Sequence, residues 1–541
     1  MKPKTLILCV VLSMWIALAV TGHVSADRVP ASPAPTPQPT VSKPRITTAA
    51  PTPLGTPARI TPSPAETPQI QTIEQLQSAI RQRMFDPAVR HGRVGIKIVS
   101  LASGKVIFEN DSDKYFMPAS NMKNFTVAAA LERLGPDFKF VTSVYAATPA
   151  DSSGKISGDL RIFGRGDVSI STLFSNGDYY KGLDALADKI IASGVKRVDG
   201  SIVADESYFT GNPIPISWEW DDLQWYDGAE VSALPINNNA VDLNVKGGAK
   251  VGSPCTVAVL PTNTLYAITN TCATSAAGAK RAIVVDKPLG RNSVLVSGTM
   301  PASESWTGYI TFTHPADLFV SLLKERLEKK GVVVTGSART LPRGAVSSYQ
   351  TEIARLESAP FSLVAAKTMK PSQNMFTEVI LWTMGEEIGR KAGGTGDSQQ
   401  LGVGVVKGFL DAAGIQLDSV VQYDGSGLSR HDLVTPDAVV RLYTYMAKQS
   451  RYPQAWRDSL AVGGVDGTLR NRFKGPPVAN NLHGKTGTLD QVSALSGYIT
   501  TAGGEPLVFS IIVNGVSEVP KRLSLIDEMV TQLAGYNGRI D

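Results

Sequence analysis

Histidine and cysteine are scarce in this chain: its 541 residues include 5 and 3 of them. His91, His314, His431 and His483 stand without metal-ligand spacing, which argues against a metal centre. Charge of one sign is also lacking, with 53 Lys+Arg against 48 Asp+Glu and a formal net charge of +5. No basic stripe interleaved with aromatics occurs, so no nucleic-acid partner is expected, and membrane association is expected to be weak at most. Gly-x-Ser-x-Gly is absent, which excludes the nucleophile elbow of α/β-hydrolases. Gly484-Lys485-Thr486 is no phosphate loop, because Ala479 stands where the first glycine is required. There is no fixed-period repeat and no motif calling for a cofactor.

What is present begins with a composition of 43% hydrophobic and 19% charged residues, that of a globular protein with two or three domains. Residues 1–26 combine Lys2 and Lys4, an apolar run over 6–20, and Val24-Ser25-Ala26 as a small-residue cleavage site. They read as a secretory signal peptide cleaved near Ala26; the alternative is a retained anchor, for which the run is barely long enough. Cys9 lacks the preceding small residues of a lipidated cysteine. Export to the periplasm or cell wall is therefore expected, and in that oxidising setting Cys255 and Cys272 read as a structural disulfide. Residues 27–71, rich in Pro and Thr with repeated Pro-x-Pro steps, read as a disordered tether.

Periodicity predicts an α+β fold. Ile73, Leu76, Ile80 and Met84 lie at helical spacing, and strands are predicted at 93–99 and 104–109. Strands at 492–500 and 506–513 and a helix over 523–533 lie at the other end. One antiparallel sheet flanked by helices can combine both ends, giving a domain of residues 72–147 and 356–541. Between them, 148–355 alternates strand-like runs (200–204, 240–245, 282–285) with Gly- and Pro-rich turns and helices near 180–193 and 316–330. It reads as a mostly β inserted region of two subdomains. Helical patterns return at 363–369, 376–388 and 403–413.

Chemistry points to residues 117–123. Ser120 is predicted near the N-terminus of a helix closed by Gly135 and Pro136, with Lys123 one turn on along the same face. A desolvated or cation-crowded lysine loses its proton near neutral pH and can take the serine proton. Ser-x-x-Lys alone is weak evidence. It recurs at Ser193, before Gly194 at a helix end, and at Ser321, where Lys324 is expected to snorkel to solvent. Ser120 differs because Ser372-Gln373-Asn374 and Lys485-Thr486-Gly487 follow in order. Ser372 can relay a proton between Lys123 and a leaving nitrogen, and Asn374 can orient Lys123 and a substrate carbonyl. Lys485 is expected to depress the pKa of Lys123, and Thr486 to bind a substrate carboxylate. Gly487 lets the strand come close to a ligand, and the amides of Ser120 and Thr488 can form an oxyanion hole.

In that order the three motifs resemble the signature of penicillin-binding proteins and serine β-lactamases. The 252 residues between Ser120 and Ser372, and 113 from there to Lys485, resemble the low-molecular-mass D-alanyl-D-alanine carboxypeptidase/endopeptidase group, peptidase S13, which carries two extra domains in that gap. The likeness extends to residues 134–138, 218–222, 424–431 and 464–469, and covers roughly 72 to 535. It implies the serine β-lactamase/DD-peptidase fold, Ser120 as the acylated nucleophile, peptidoglycan stems as substrate and β-lactams as inhibitors. It also implies that Asp222 and Arg430 contact the free amino and carboxylate ends of a diaminopimelate side chain. Asp490 stands where the group carries Gln, which bears on stem recognition. The alternative functions are a β-lactamase or esterase on the same scaffold, and a catalytically silent wall-binding protein.

Overall fold

The computed structural model describes residues 71–87, 89–341 and 351–540. The expected signal segment, and the expected tether apart from Gln71, lie outside them. The fold is α+β. Among the described residues no helix is long and apolar enough to cross a membrane.

Both chain ends build one six-stranded antiparallel sheet in the order Val106–Asn110, Arg93–Ser100, Pro506–Asn514, Val492–Thr500, His483–Leu489, Ala461–Val462. Arg93 pairs with Asn514, and Lys485 with Ser496. Side chains alternate across a strand, and both faces here are buried. Ala494 and Tyr498 join one core, while Leu495 and Ile499 join the other. The second core is closed by the first helix, Ile73–Met84, and the last, Val519–Gly535, which starts earlier than its apolar periodicity suggests.

The first core surrounds the helix Lys123–Leu134, which is buried over ten of its twelve residues. The helix 374–384, expected to run on to 388, passes into a π turn over Gly385–Arg390 and packs beside Ser398–Ala412. A helix buried on all sides must pair its polar groups internally. Asn124 accepts from Tyr443 Oη at 2.9 Å, and Thr126 donates to Gly425 O at 2.8 Å. Tyr443 belongs to the helix Pro436–Lys448, which periodicity missed although Thr435 caps it and Pro436 occupies its first turn.

The middle of the chain is mostly strand, with two long helices, Lys181–Ala192 and Pro315–Lys329, near the positions expected for them. Sheet pairing there already begins at Val141–Ala146, which lies between Leu160–Gly164 and Thr351–Glu357 in a five-stranded sheet. Leu160–Gly164 and Ala338–Thr340 both run parallel to Ile202–Asp205. The helices Lys181–Ala192 and Pro315–Lys329 bury their apolar stripes against this sheet, as crossovers between parallel strands require. Most of the remaining strands there share the same core, and Cys255 and Cys272 are bonded within it.

Candidate active site

Ser120 does not open an α-helix directly. It lies in a 3-10 turn, Ala119–Met122, that leads into Lys123–Leu134, and Ala119 before it holds φ +47°. Ser372 likewise holds φ +68°. Left-handed backbone at two non-glycine residues costs of order 1–3 kcal/mol each and persists only where the surroundings impose it. Here they do. Asn121, fully buried, donates to Lys485 O at 3.1 Å and accepts from Ser496 Oγ at 2.6 Å, tying the turn to the sheet. Gly487 is a strand residue whose Cβ, were there one, would lie 2.6 Å from Pro118 O and 3.2 Å from Ser120 N. Only glycine lets the strand approach the turn this closely.

Lys123 is fully buried. Its Nζ lies 2.9 Å from Ser120 Oγ, 2.6 Å from Asn374 Oδ1 and 2.7 Å from Ser426 O. Asn374 begins its helix and turns its amide nitrogen to Asp227 O at 3.0 Å, which fixes the oxygen toward the lysine. Lys485, also fully buried, donates to Ser372 Oγ and to Thr486 O, both at 2.8 Å. Ser372 thus bonds Lys485, whereas the motif reading set it beside Lys123. Thr486 pairs with Thr468 of the 464–469 stretch at 2.7 Å, and Thr488 is exposed at the mouth of the same cleft.

Two ammonium groups in one buried site repel, and burial alone disfavours both charges. Burial lowers Lys123 to about 8, against the pull of Asp424, Glu378, Asp227 and Asp432. Lys485 is pushed well below its ordinary value by burial and then by Lys123. The repulsion between the two ammonium groups is mutual, and at Lys123 the carboxylates oppose it. Of those acids only Asp424 lies in a stretch that the family likeness marks. Glu378 in particular sits inside an apolar helical run and becomes visible only through its burial.

The cleft, about 460 Å³, is walled by Ser120, Ser372, Asn374, Thr486, Asp222 and Arg430. A larger cavity of about 690 Å³ around Phe209, His314 and Trp382 shares no residue with it. Asp222 is half-buried and raised to about 6 by burial and by Asp221, Glu219 and Asp227. Arg430 is engaged already, through Glu219 at 2.8 Å and the carbonyl of Asp490 at 3.1 Å. Trp218 Nε1 donates to Asp424 Oδ2 at 2.8 Å, so the 218–222 and 424–431 stretches are braced against each other. Of the Ser-x-x-Lys serines at 193 and 321, Ser193 donates to Ile190 O at a helix end. Lys324, the partner of Ser321, pairs with Glu328.

Comparison with known proteins shows the family. A model of the D-Ala-D-Ala carboxypeptidase 3 (S13) family matches residues 76–535. A D-alanyl-D-alanine carboxypeptidase from Actinomadura sp. (strain R39) is 34% identical over 480 residues, 86% of each chain. The D-alanyl-D-alanine carboxypeptidase DacB of Haemophilus influenzae is 26% identical over 433 residues, 78% of this chain and 86% of its own. The crystal structure of penicillin binding protein 4 (dacB) from Haemophilus influenzae shares the fold. It has a TM-score of 0.72 at 22% identity, covering 86% of this chain and 100% of that one. With the motifs, the fold and a 34% identical relative in agreement, the chain belongs to the D-Ala-D-Ala carboxypeptidase 3 (S13) family.

Proposed function

We propose that Ser120 is the nucleophile with which this enzyme opens the D-Ala-D-Ala bond, or the D-Ala to diaminopimelate cross-link, of peptidoglycan stems. The observation that carries this reading is the 2.9 Å approach of Ser120 Oγ to a fully buried lysine amine. Neutral Lys123 takes the hydroxyl proton as Oγ bonds to the carbonyl carbon. The amides of Ser120 and Thr488 hold the oxyanion. On collapse the C–N bond breaks, the leaving amine takes the proton of Ser372, Lys485 replaces that proton across their 2.8 Å bond, and the proton from Ser120 stays on Lys123. Water then attacks the ester carbonyl, its proton passing through Ser372 to Lys485, the carbon–Oγ bond breaks and Ser120 recovers its proton from Lys123.

The acidic rim of Glu219, Asp221 and Asp222 supports binding of a free amino group, and Arg430 binds a carboxylate by exchanging Glu219 for it. Thr486 supplies a hydroxyl for the terminal carboxylate. A β-lactam presents a strained amide to the same serine. The Haemophilus influenzae relative has been solved complexed with a β-lactam, which supports the reading for this chain. The Cys255–Cys272 bond supports export to an oxidising compartment. The chain from about 141 to 357 is read as an insertion into the peptidase domain.

Purified protein incubated with a fluorescent penicillin should be labelled covalently, and Ser120→Ala should not. Muropeptides should then lose D-alanine or have their cross-links cleaved. An unlabelled wild type refutes the assignment, and rapid turnover of a chromogenic cephalosporin reassigns the chain to β-lactamase chemistry.

A further inference from the structure

Below Lys123, on the side away from the cleft, lies a group of acids that the reaction itself does not use. Glu378 and Asp424 are fully buried. Both oxygens of Glu378 accept from Gly425 N at 3.0 Å. Asp424 accepts from Ser426 N, Gly427 N, Ser429 N and Trp218 Nε1 at 2.6–3.0 Å. Asp432 in turn accepts from Tyr423 N at 2.6 Å. These bonds shape the 424–429 loop, and that loop supplies one of the three acceptors of Lys123 Nζ, the carbonyl of Ser426. Gly427 at φ +79° completes the fit, since a Cβ there would lie 1.9 Å from Ala119 O, next to the nucleophile.

We propose that Glu378 and Asp424 are positioning residues for the general base: through the loop they hold the Ser426 carbonyl against Lys123, and through their charge they set the pH at which Lys123 becomes a base. This rests on Lys123 acting as the base for Ser120. The charged groups facing Lys123 are Asp424 and Asp432 from the loop, Glu378 from the helix 374–384, Asp227 from the turn 226–228, and Lys485 from its strand. Acids oppose the effect of burial on the lysine, so removing one lets Lys123 lose its proton at lower pH. Glu378, raised to about 8 by burial and by Asp424, gives up its proton in the same range as Lys123 and competes to be the group that does so. Glutamine ends that competition.

The test is the rate of acylation by a fluorescent penicillin between pH 5 and 10. For the wild type the acid limb is expected near pH 8. For E378Q and D424N it is expected to move to lower pH by roughly one unit, the low end of what a nearby opposite charge produces. Asn at 424 turns an N–H toward loop amides and can prevent folding, so D227N, on a different element, is measured alongside and should shift the same way. Folding of each variant is checked by thermal unfolding. A uniform fall in rate with the limb unmoved in E378Q and D227N, or a limb moved to higher pH, overturns the proposal. A wild type that is not labelled, or a labelled Ser120→Ala, overturns instead the assignment of Ser120 and Lys123.

Discussion

Gly487→Ala should slow acylation about 10²-fold without unfolding the protein. Gly487 is not among the residues with left-handed φ, so alanine meets no backbone penalty there and the whole effect comes from one methyl group. That methyl would lie 2.6 Å from Pro118 O, against about 3.3 Å for a tolerable carbon–oxygen contact. Strand and turn must therefore separate by roughly 0.7 Å. The turn cannot yield alone, because Asn121 binds it to Lys485 O and Ser496 Oγ. Gly427 also packs on Ala119 from the other side. Overpacking of this kind costs about 1–3 kcal/mol, which a domain with two large cores survives. Catalysis is less tolerant, since the displaced strand carries the Thr488 amide and the displaced turn carries Ser120. A misplacement near 1 Å, or loss of one oxyanion donor, costs about 10²-fold or more. The measurements are the second-order labelling rate with a fluorescent penicillin and the thermal midpoint. Labelling at the wild-type rate would refute the contact between strand and turn as the source of the geometry.

Lys485→Ala removes the donor to Ser372 Oγ and Thr486 O and leaves Lys123 on Ser120, so labelling should fall roughly 10²–10⁴-fold, as for loss of a proton-transfer partner. Asp222→Asn should raise KM for stems bearing a free amino group more than for blocked ones, and the wild type should lose the same preference as pH falls through about 6. Replacing both Cys255 and Cys272 by serine frees a short loop, and thermal or urea unfolding should register a loss of about 3 kcal/mol. Stability should also carry a minimum near pH 8. Lys123 at about 8 instead of 10.5 means that the unfolded chain holds a proton the fold has lost, so stability rises with pH from 8 to 10.5. Glu378 at about 8 instead of 4.5 means the reverse, a fall from pH 4.5 to 8 that E378Q should abolish in pH-dependent unfolding.

What could be read before the fold was seen is what local chemistry fixes. The strands at 492–500 and 506–513 announce themselves because both faces are apolar, and the three motifs because their residue types are rare in that order. The backbone at the nucleophile was not legible: a helix pattern says nothing of Ala119 at φ +47°, which depends on Gly427 and Gly487 pressing from two sides. Nor was the partner of Ser372, since a one-residue change in strand register would have turned Lys485 to the opposite face. Glu378 is the sharpest case. Its apolar run suggests burial but not what it faces, because its neighbours Asp424 and Lys123 arrive from far along the chain.

The long gap between the first two motifs has a physical resolution in how the intervening chain leaves and returns. Val141–Ala146 runs out antiparallel to Thr351–Glu357, with Val141 opposite Glu357. Below that pairing the two passages stay zipped: Ser358 N bonds Phe140 O at 2.9 Å, Phe361 N bonds Phe138 O at 2.8 Å, and Ser362 N bonds Pro136 O at 2.8 Å. The end of the Lys123 helix and the start of the helix at Phe361 are therefore neighbours whatever is folded between them. Loop-closure entropy grows only slowly with length, and here it is met at the zipped passages, remote from the cleft. Asn374 can then reach Lys123 at 2.6 Å although 251 residues separate them in sequence. The segment nonetheless returns to the site it leaves, since Asp227 O holds the amide of Asn374 and Trp218 Nε1 binds Asp424.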